Sequence, residues 1–396
     1  MLNRLTRIRR ATICAKLGLT PNLIMAAVFA VSIFGYAVAV HAADAPGSLI
    51  SVQPMAGAPH RAMAYRVLYR SIGLSGETIP VSGVIIVPFG PALPGGRPVV
   101  AWAHPTTGVV SRCAPSLARV FFASVQGLRA MLARGYIVTA TDYSGLGTSQ
   151  THPYLVGISE GRAVLDSVRA ARQIARVNTS RNFAVWGHSQ GGQAALYTGL
   201  LAAEYAPELR LVGVAAAAPA TDLSRLMTED LGTGGGNNIT AMALWSWSRI
   251  YGAPLESVFS PEAAPVINRL ANLCIERWFD MLIRRGPTRA LERSFLSVHN
   301  LADVDPWGGL LAENSPGTLS PDVPVFIAQG DSDKLVRPSV TAAYVGALCR
   351  RGSKVRYEVL PGVGHTFIAR DSANDAVAWI AARFADMPPA NDCGRP

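Results

Sequence analysis

The sequence predicts an α/β fold, a mostly parallel, doubly wound sheet with a large helical insertion. Three observations lead there. Short apolar runs alternate with helical patterns along most of the chain. The later runs carry apolar residues on both faces, as strands covered by helices on two sides do. About a hundred residues between Pro219 and Pro321 then break that rhythm with helical and loop character and no clear strand. A structureless loop of that length is implausible in a compact domain, so the interval reads as a helical cap.

The elements follow in order. Tyr65–Arg70 and Ile79–Val87, part-alternating and β-branched, read as the first two strands. Four buried runs come next: Pro98–Ala103, Tyr136–Thr141, Phe183–Trp186 and Leu211–Ala218. Val323–Ala328 and Val355–Leu360 complete the set. Helices are expected over Ser116–Arg134, Ile158–Arg176, Gly191–Glu204, Ser339–Arg350 and Ala373–Phe384. Within the insertion, Gly234-Gly235-Gly236 reads as a mobile joint. Trp245, Trp247, Tyr251, Trp278 and Phe279 read either as ordinary core or as the lining of a substrate channel.

At 396 residues the chain exceeds the ~250–300 at which one core stops growing, which requires an insertion or a second domain. With 49% hydrophobic and 16% charged residues, disorder and coiled coil are excluded. The formal charge of +10 raises the question of nucleic acid. Five of the cations (Arg4, Arg7, Arg9, Arg10, Lys16) lie in residues 1–42, which hold no acid. The remaining 31 basic and 26 acidic residues are scattered rather than striped, so no nucleic-acid partner is expected.

Those first residues read as an address. Basic side chains precede an uncharged stretch, Leu23–Val40, and Val40-His41-Ala42 offers small residues for cleavage after Ala42. The expectation is a signal peptide over 1–42 and an exported mature chain, periplasmic or secreted. An uncleaved membrane anchor is the alternative. The core is then expected over 43–220 and 321–396, with the cap over 221–320. Besides Cys14, four cysteines remain: Cys113, Cys274, Cys349 and Cys393. An even number in an exported chain suggests two disulfides, with three connectivities open. No cysteine–histidine pattern supports a metal, and no cofactor is implied.

The chemistry is concentrated in Gly187-His188-Ser189-Gln190-Gly191, a G-x-S-x-G between a buried strand and a helix. That is the context of a nucleophile elbow, a turn so tight that residues two positions either side of the serine must lack a side chain. Gly187 and Gly191 meet that need. A serine hydroxyl needs a base, and His365 follows the last strand in the loop Pro361–Phe367. His188 is expected to point away from the hydroxyl. His104 is expected to shape the loop after the third predicted strand. His60, His152 and His299 read as surface or hydrogen-bonded structural histidines. The base needs an orienting acid, and Gly330–Val336 offers two. Asp333 fits the spacing G-x-x-D-x-x-V and is preferred; Asp331 is expected to hold the loop. Two backbone N–H groups should stabilise an oxyanion. Gln190 follows the nucleophile directly. Pro105 has no N–H, so Thr106 is preferred for the second, with Thr107 next. The chain order Ser…Asp…His is that of α/β-hydrolases.

The stretches Ala101–Gly108, Cys113–Ser116, Asp142–Thr148, His152–Tyr154, Asp166–Arg172, Gly187–Gly192, Gly330–Val336 and Gly364-His365 together resemble the secretory lipase family of α/β-hydrolases. That group includes fungal lipase A-type enzymes and exported bacterial relatives. The resemblance implies a triad of Ser189, Asp333 and His365, a lid in the helical interval, and acyl-ester hydrolysis through an acyl-enzyme. Its substrate would be a lipid or small acyl ester, met with transient contact at a lipid interface. It also implies disulfides Cys113–Cys274, tying the cap to the oxyanion loop, and Cys349–Cys393, pinning the C-terminal tail. Each would stabilise by at most about 4–5 kcal/mol by loop entropy. One departure stands out: the family's loop usually reads His-Gly-Thr-Thr-Gly, and Pro105 here replaces the first glycine.

Two other readings compete. A peptidase on the same fold would need a charged pocket, which Arg284, Arg285, Arg289 and Arg293 of the cap could supply. A non-catalytic binding protein of this fold would be expected to lack a triad member, and all three are present. An aspartate nucleophile, as in dehalogenase chemistry, is excluded by Ser189.

Overall fold

In the computed structural model, the described residues are 45–394 apart from 93, 276, 277 and 294, and the side chains of 278–282 and 293 are also outside the description. The expected signal peptide or anchor, with Cys14, lies outside the described residues. So do the side chains of Trp278, Phe279 and Arg293.

The strands are β1 (Leu49–Pro54), β2 (Ala62–Ile72), β3 (Thr78–Pro88), β4 (Arg97–Ala103), β5 (Ile137–Thr141), β6 (Thr179–His188), β7 (Arg210–Ala217), β8 (Val325–Gly330) and β9 (Val355–Leu360). They form one sheet in the order β1-β2-β3-β5-β4-β6-β7-β8-β9. The β1–β2, β2–β3 and β3–β5 pairs are antiparallel. From β5 onward every pair is parallel. This is the α/β-hydrolase arrangement expected from the alternation. β1 is an addition: its sequence LISVQP forms an edge strand that is almost wholly exposed, so no buried face marks it.

Side-chain alternation assigns the two faces of the sheet. Val100, Trp102, Ala184 and Trp186 point to one apolar layer. Val99, Ala101, Phe183 and Val185 point to the other. The helices that cover these layers are α1 (Phe121–Ser124), α2 (Leu128–Ala133), α3 (Gly157–Ala171) and α4 (Gln190–Tyr205) from the first part of the chain. The last part contributes α10 (Pro338–Arg350), α11 (Ile368–Asp371) and α12 (Ala373–Phe384). Between β7 and β8 lie α5 (Leu223–Glu229), α6 (Gly234–Ile250), α7 (Ala263–Ala271), α8 (Trp278–Arg293) and α9 (Trp307–Glu313).

Three expectations need correction. Ser116–Arg134 is not one helix. Val125 turns extended and ends α1, Gly127 at φ +77° caps the start of α2, and the missing side chain of Gly127 admits Val377. The helix expected to reach Arg176 ends at Ala171. Gly234-Gly235-Gly236 is not a joint but the first turn of α6. Thr233 caps it by accepting the Gly236 N–H at 3.0 Å, and a side chain on Gly236 would collide with Asp230.

Disulfides join Cys113 to Cys274 and Cys349 to Cys393, across 161 and 44 residues. The second attaches the C-terminal tail to the end of α10. Replacing both Cys349 and Cys393 by serine is expected to lower the unfolding free energy by up to about 4 kcal/mol, read from denaturant midpoints. A change within about 0.5 kcal/mol would show that this bond does not order the tail.

Candidate active site

The site is built at the carboxyl ends of β4, β6 and β8. Ser189 sits between β6 and α4 with φ +58° and ψ −118°, a conformation that an L-residue adopts only under constraint. Its N–H donates to Ala217 O at 2.9 Å, and its carbonyl accepts the Gln193 N–H at 3.0 Å. The flanking glycines explain how the turn closes. A Cβ on Gly187 would lie 2.0 Å from Gly191 O, and one on Gly191 would lie 2.0 Å from Ala103 O. Both contacts are with backbone, so neither can be relieved by a rotamer change.

The elbow brings Ser189 to His365. His365 Nε2 lies 2.8 Å from Ser189 Oγ, and its Nδ1 lies 2.7 Å from Asp333 Oδ2. The other carboxylate oxygen of Asp333 accepts the N–H groups of Leu335 and Val336 at 2.8 and 2.9 Å. Asp333 is thus held by its own loop while one oxygen faces the imidazole. Asp331 is exposed and accepts the Gly362 N–H at 2.7 Å, fastening the Asp333 loop to the histidine loop.

The other histidines divide as their surroundings dictate. His188 Nε2 donates to the carbonyl of His365 at 3.0 Å, and the rings lie 5.0 Å apart. Burial, aided by His365, pulls His188 down to about 3, so it stays neutral. Its support of the His365 backbone was not legible, because the contact spans 177 residues. His104 bonds Pro105 O through Nδ1 at 2.7 Å and its ring packs 4.3 Å from that of Tyr143, which fixes the loop after β4. Burial lowers its affinity for a proton as well. His152 is buried and bonded to Ser144 O, while His60 and His299 are exposed.

A cavity with about 440 Å³ of non-atom space, part of it open to solvent, meets Ser189. Thr106 and Gln190 line it beside the serine. Among the described residues, no hydrogen bond uses the backbone N–H of either. Thr106 Oγ1 lies 2.8 Å from the Tyr154 hydroxyl. The remaining walls are mostly apolar, with Leu223, Leu226, Met227 and Ile239 from the helical interval and Leu335 and Val336 from the core. Tyr154, which lies in the family-like stretch His152–Tyr154 but carries no role expected from the sequence, also lines it, as does Asp230, which no motif marks.

Two open readings of the interval are decided. Of the two readings of its aromatics, core is the one found: Trp245 and Trp247 are buried in it, Tyr251 packs against it, and none of the three lines the cavity. Trp247 donates to Tyr154 O at 2.8 Å and Trp245 to Asn268 at 2.9 Å, which gives their indoles interior partners. The described arginines that a peptidase could have used for a charged pocket are not among the residues that line the cavity. Arg284 is buried, bonded to Asn238 and to the carbonyls of Leu270 and Leu273. Arg285 and Arg289 are exposed and away from the cavity walls.

The elbow generates a prediction. Gly187→Ala is expected to lower the thermal midpoint by several degrees and to reduce ester turnover more than a hundredfold, because Gly191 must move. Wild-type turnover and midpoint in this variant would mean that the elbow tolerates a side chain.

Several proteins named as lipases are similar to this chain. A Mycobacterium tuberculosis protein named as a probable inactive lipase is 26% identical over 83% of this chain and 75% of its own length. Lipase A of Moesziomyces aphidis is 24% identical over 86% of this chain and 76% of its own. The closed-state crystal structure of Candida antarctica lipase A superposes with a TM-score of 0.72 at 20% identity, covering 89% of this chain and 85% of that one, and so shares the fold. The family model described as "Secretory lipase" matches residues 123–392, more than half of the chain. The chain therefore belongs to the secretory lipase family, and it is a carboxylic ester hydrolase of the α/β-hydrolase fold.

Proposed function

We propose that this chain is an exported serine esterase or lipase working through an acyl-enzyme, with Ser189 as nucleophile, His365 as general base and acid, and Asp333 as the orienting carboxylate. The observation that carries the reading is the continuous line of hydrogen bonds, 2.7 Å from Asp333 to His365 and 2.8 Å from His365 to Ser189. It matters because one relative is named as a probable inactive lipase, so kinship alone does not decide activity.

The steps follow from the bonds. Asp333 accepts the Nδ1–H of His365, which leaves Nε2 free to take the Ser189 proton. Ser189 Oγ attacks the ester carbonyl, and the oxyanion receives the N–H groups of Gln190 and Thr106. His365 returns its proton to the departing alcohol, leaving the acyl group on Ser189. Water, deprotonated by His365, then attacks the acyl-enzyme and releases the acid. The apolar cavity walls suit the acyl chain of the ester, with substrate drawn from small acyl esters or lipids. The two disulfides and the family's secretory character support export, with a signal peptide over 1–42. Among the described residues, no helix is long and apolar enough to cross a membrane. The helices from Leu223 to Glu313 serve as the cap over the site.

Hydrolysis of p-nitrophenyl esters from acetate to palmitate tests the assignment. Ser189→Ala and Asp333→Asn are each expected to lower kcat by about 10⁴ or more, with KM little changed. Turnover in Ser189→Ala within tenfold of wild type would remove the serine from the mechanism. Met227→Trp is expected to fill part of the cavity and move the preferred ester to a shorter chain. An unchanged chain-length profile would place the acyl group elsewhere.

A further inference from the structure

Beside the elbow lies a set of buried polar side chains that the triad does not use. Glu160 on α3, Gln190 at the start of α4 and His152 in the loop after β5 are all nearly or wholly inaccessible. Gln190 Nε2 donates to Glu160 Oε1 at 2.7 Å and to His152 Nε2 at 3.1 Å. His152 can accept there because its Nδ1 donates to Ser144 O at 2.8 Å. Burial pulls His152 down to about 3, which keeps that acceptor unprotonated. Glu160 Oε1 also accepts the Leu155 N–H at 3.0 Å.

Two atoms of this cluster have no partner. Glu160 Oε2 and Gln190 Oε1 are both buried and unbonded, and both are acceptors if Glu160 is ionised. The titratable groups facing Glu160 are Tyr143, His152 and Tyr154 from the loop after β5 and Tyr197 from α4. None of these is a cation at neutral pH. Arg284 on α8 acts on Tyr154 and is held by Asn238. A carboxylate here would be a buried charge with one oxygen unbonded and no counter-ion, which the interior strongly disfavours. A proton on the carboxyl removes the charge and turns one orphaned oxygen into a donor.

We propose that Glu160 is a positioning residue for oxyanion stabilisation: its protonated carboxyl locks the Gln190 side chain and thereby aims the Gln190 backbone N–H at the ester bound on Ser189. The inference rests on the assignment of Ser189 and Gln190 made above. The Gln190 side chain and N–H share one Cα at the first residue of α4, so a shift of the anchored amide tilts the peptide that follows Ser189. Burial pushes the Glu160 carboxyl up to about 8. This folded value lies above the ordinary 4.5, so stability from the protonated form is fully present below about 4.5 and is lost as pH rises through about 8. Turnover should decline over the same alkaline range, as ionised Glu160 pulls away from its apolar surroundings.

The test is kcat and KM for p-nitrophenyl butyrate from pH 6 to 10, with wild type, Glu160→Gln, Glu160→Ala and Ser189→Ala, each checked by thermal unfolding. Wild type is expected to lose activity through a limb near pH 8. Glu160→Gln, isosteric and always neutral, is expected to keep kcat within threefold at pH 6.5 and to lack that limb. Glu160→Ala is expected to lower kcat tenfold or more with KM within threefold. If Glu160→Ala does not fold, the wild-type and Glu160→Gln profiles still decide. An identical alkaline limb in Glu160→Gln, or no limb in wild type, overturns the inference while an inactive Ser189→Ala leaves the triad standing. An active Ser189→Ala overturns the triad itself.

Discussion

The backbone of Ser189 is the constraint on which the site depends. At φ +58° and ψ −118° it costs on the order of 1–3 kcal/mol relative to relaxed geometry. Three features hold it there. Its N–H is bonded to Ala217 O on the neighbouring strand, its carbonyl is bonded within α4, and side chains are missing at Gly187 and Gly191. Turning the chain this sharply sends Oγ toward His365, and it also sets Gln190 at the start of a helix whose N–H groups face the same space. Any relaxation at Ser189 would move its Oγ and the Gln190 N–H, the proposed nucleophile and oxyanion donor, together.

Burial sorts the histidines around this turn into distinct uses. His188 and His152 are drawn down to about 3, and His104 is lowered too, with loss of hydration the leading cause in each case. They are neutral struts that bond backbone carbonyls. His365 is the one that lies between a carboxylate and a hydroxyl, so it is the one positioned to move a proton. In the proposed mechanism this ring alone moves a proton, and the other three imidazoles serve as struts.

The helical interval does more than cover the cavity. Ser246 donates to His152 O at 2.6 Å and accepts the Tyr154 N–H at 3.1 Å, and Trp247 donates to Tyr154 O. Ile275 N–H bonds Thr107 O at 2.8 Å, next to the Cys113–Cys274 disulfide. These bonds tie the interval to the loop carrying Thr106 and to the loop carrying Tyr154. The two loops also meet each other through the Thr106–Tyr154 contact. The Thr106 side of the site, the proposed oxyanion side, is therefore braced by residues far away in sequence, and Pro105 adds local stiffness there.

The alternation of strand and helix, the parallel sheet and the three residues that meet as Ser189, His365 and Asp333 were legible from the chain itself. Each is a local signal: an apolar run, a G-x-S-x-G between strand and helix, a histidine after the last strand. The edge strand β1 was not legible, because an exposed strand has no buried periodicity. The break before α2 and the helical run 234–236 were misread because a glycine's conformation is set by what packs against it, Val377 against Gly127 and Asp230 against Gly236. Only the tertiary structure decided that Glu160, Gln190 and His152 form one buried cluster, that His188 braces His365, and that Trp245, Trp247 and Arg284 are core rather than cavity wall. Such facts depend on which side chains lose water together, and burial between distant segments leaves no spacing in the sequence that would record it.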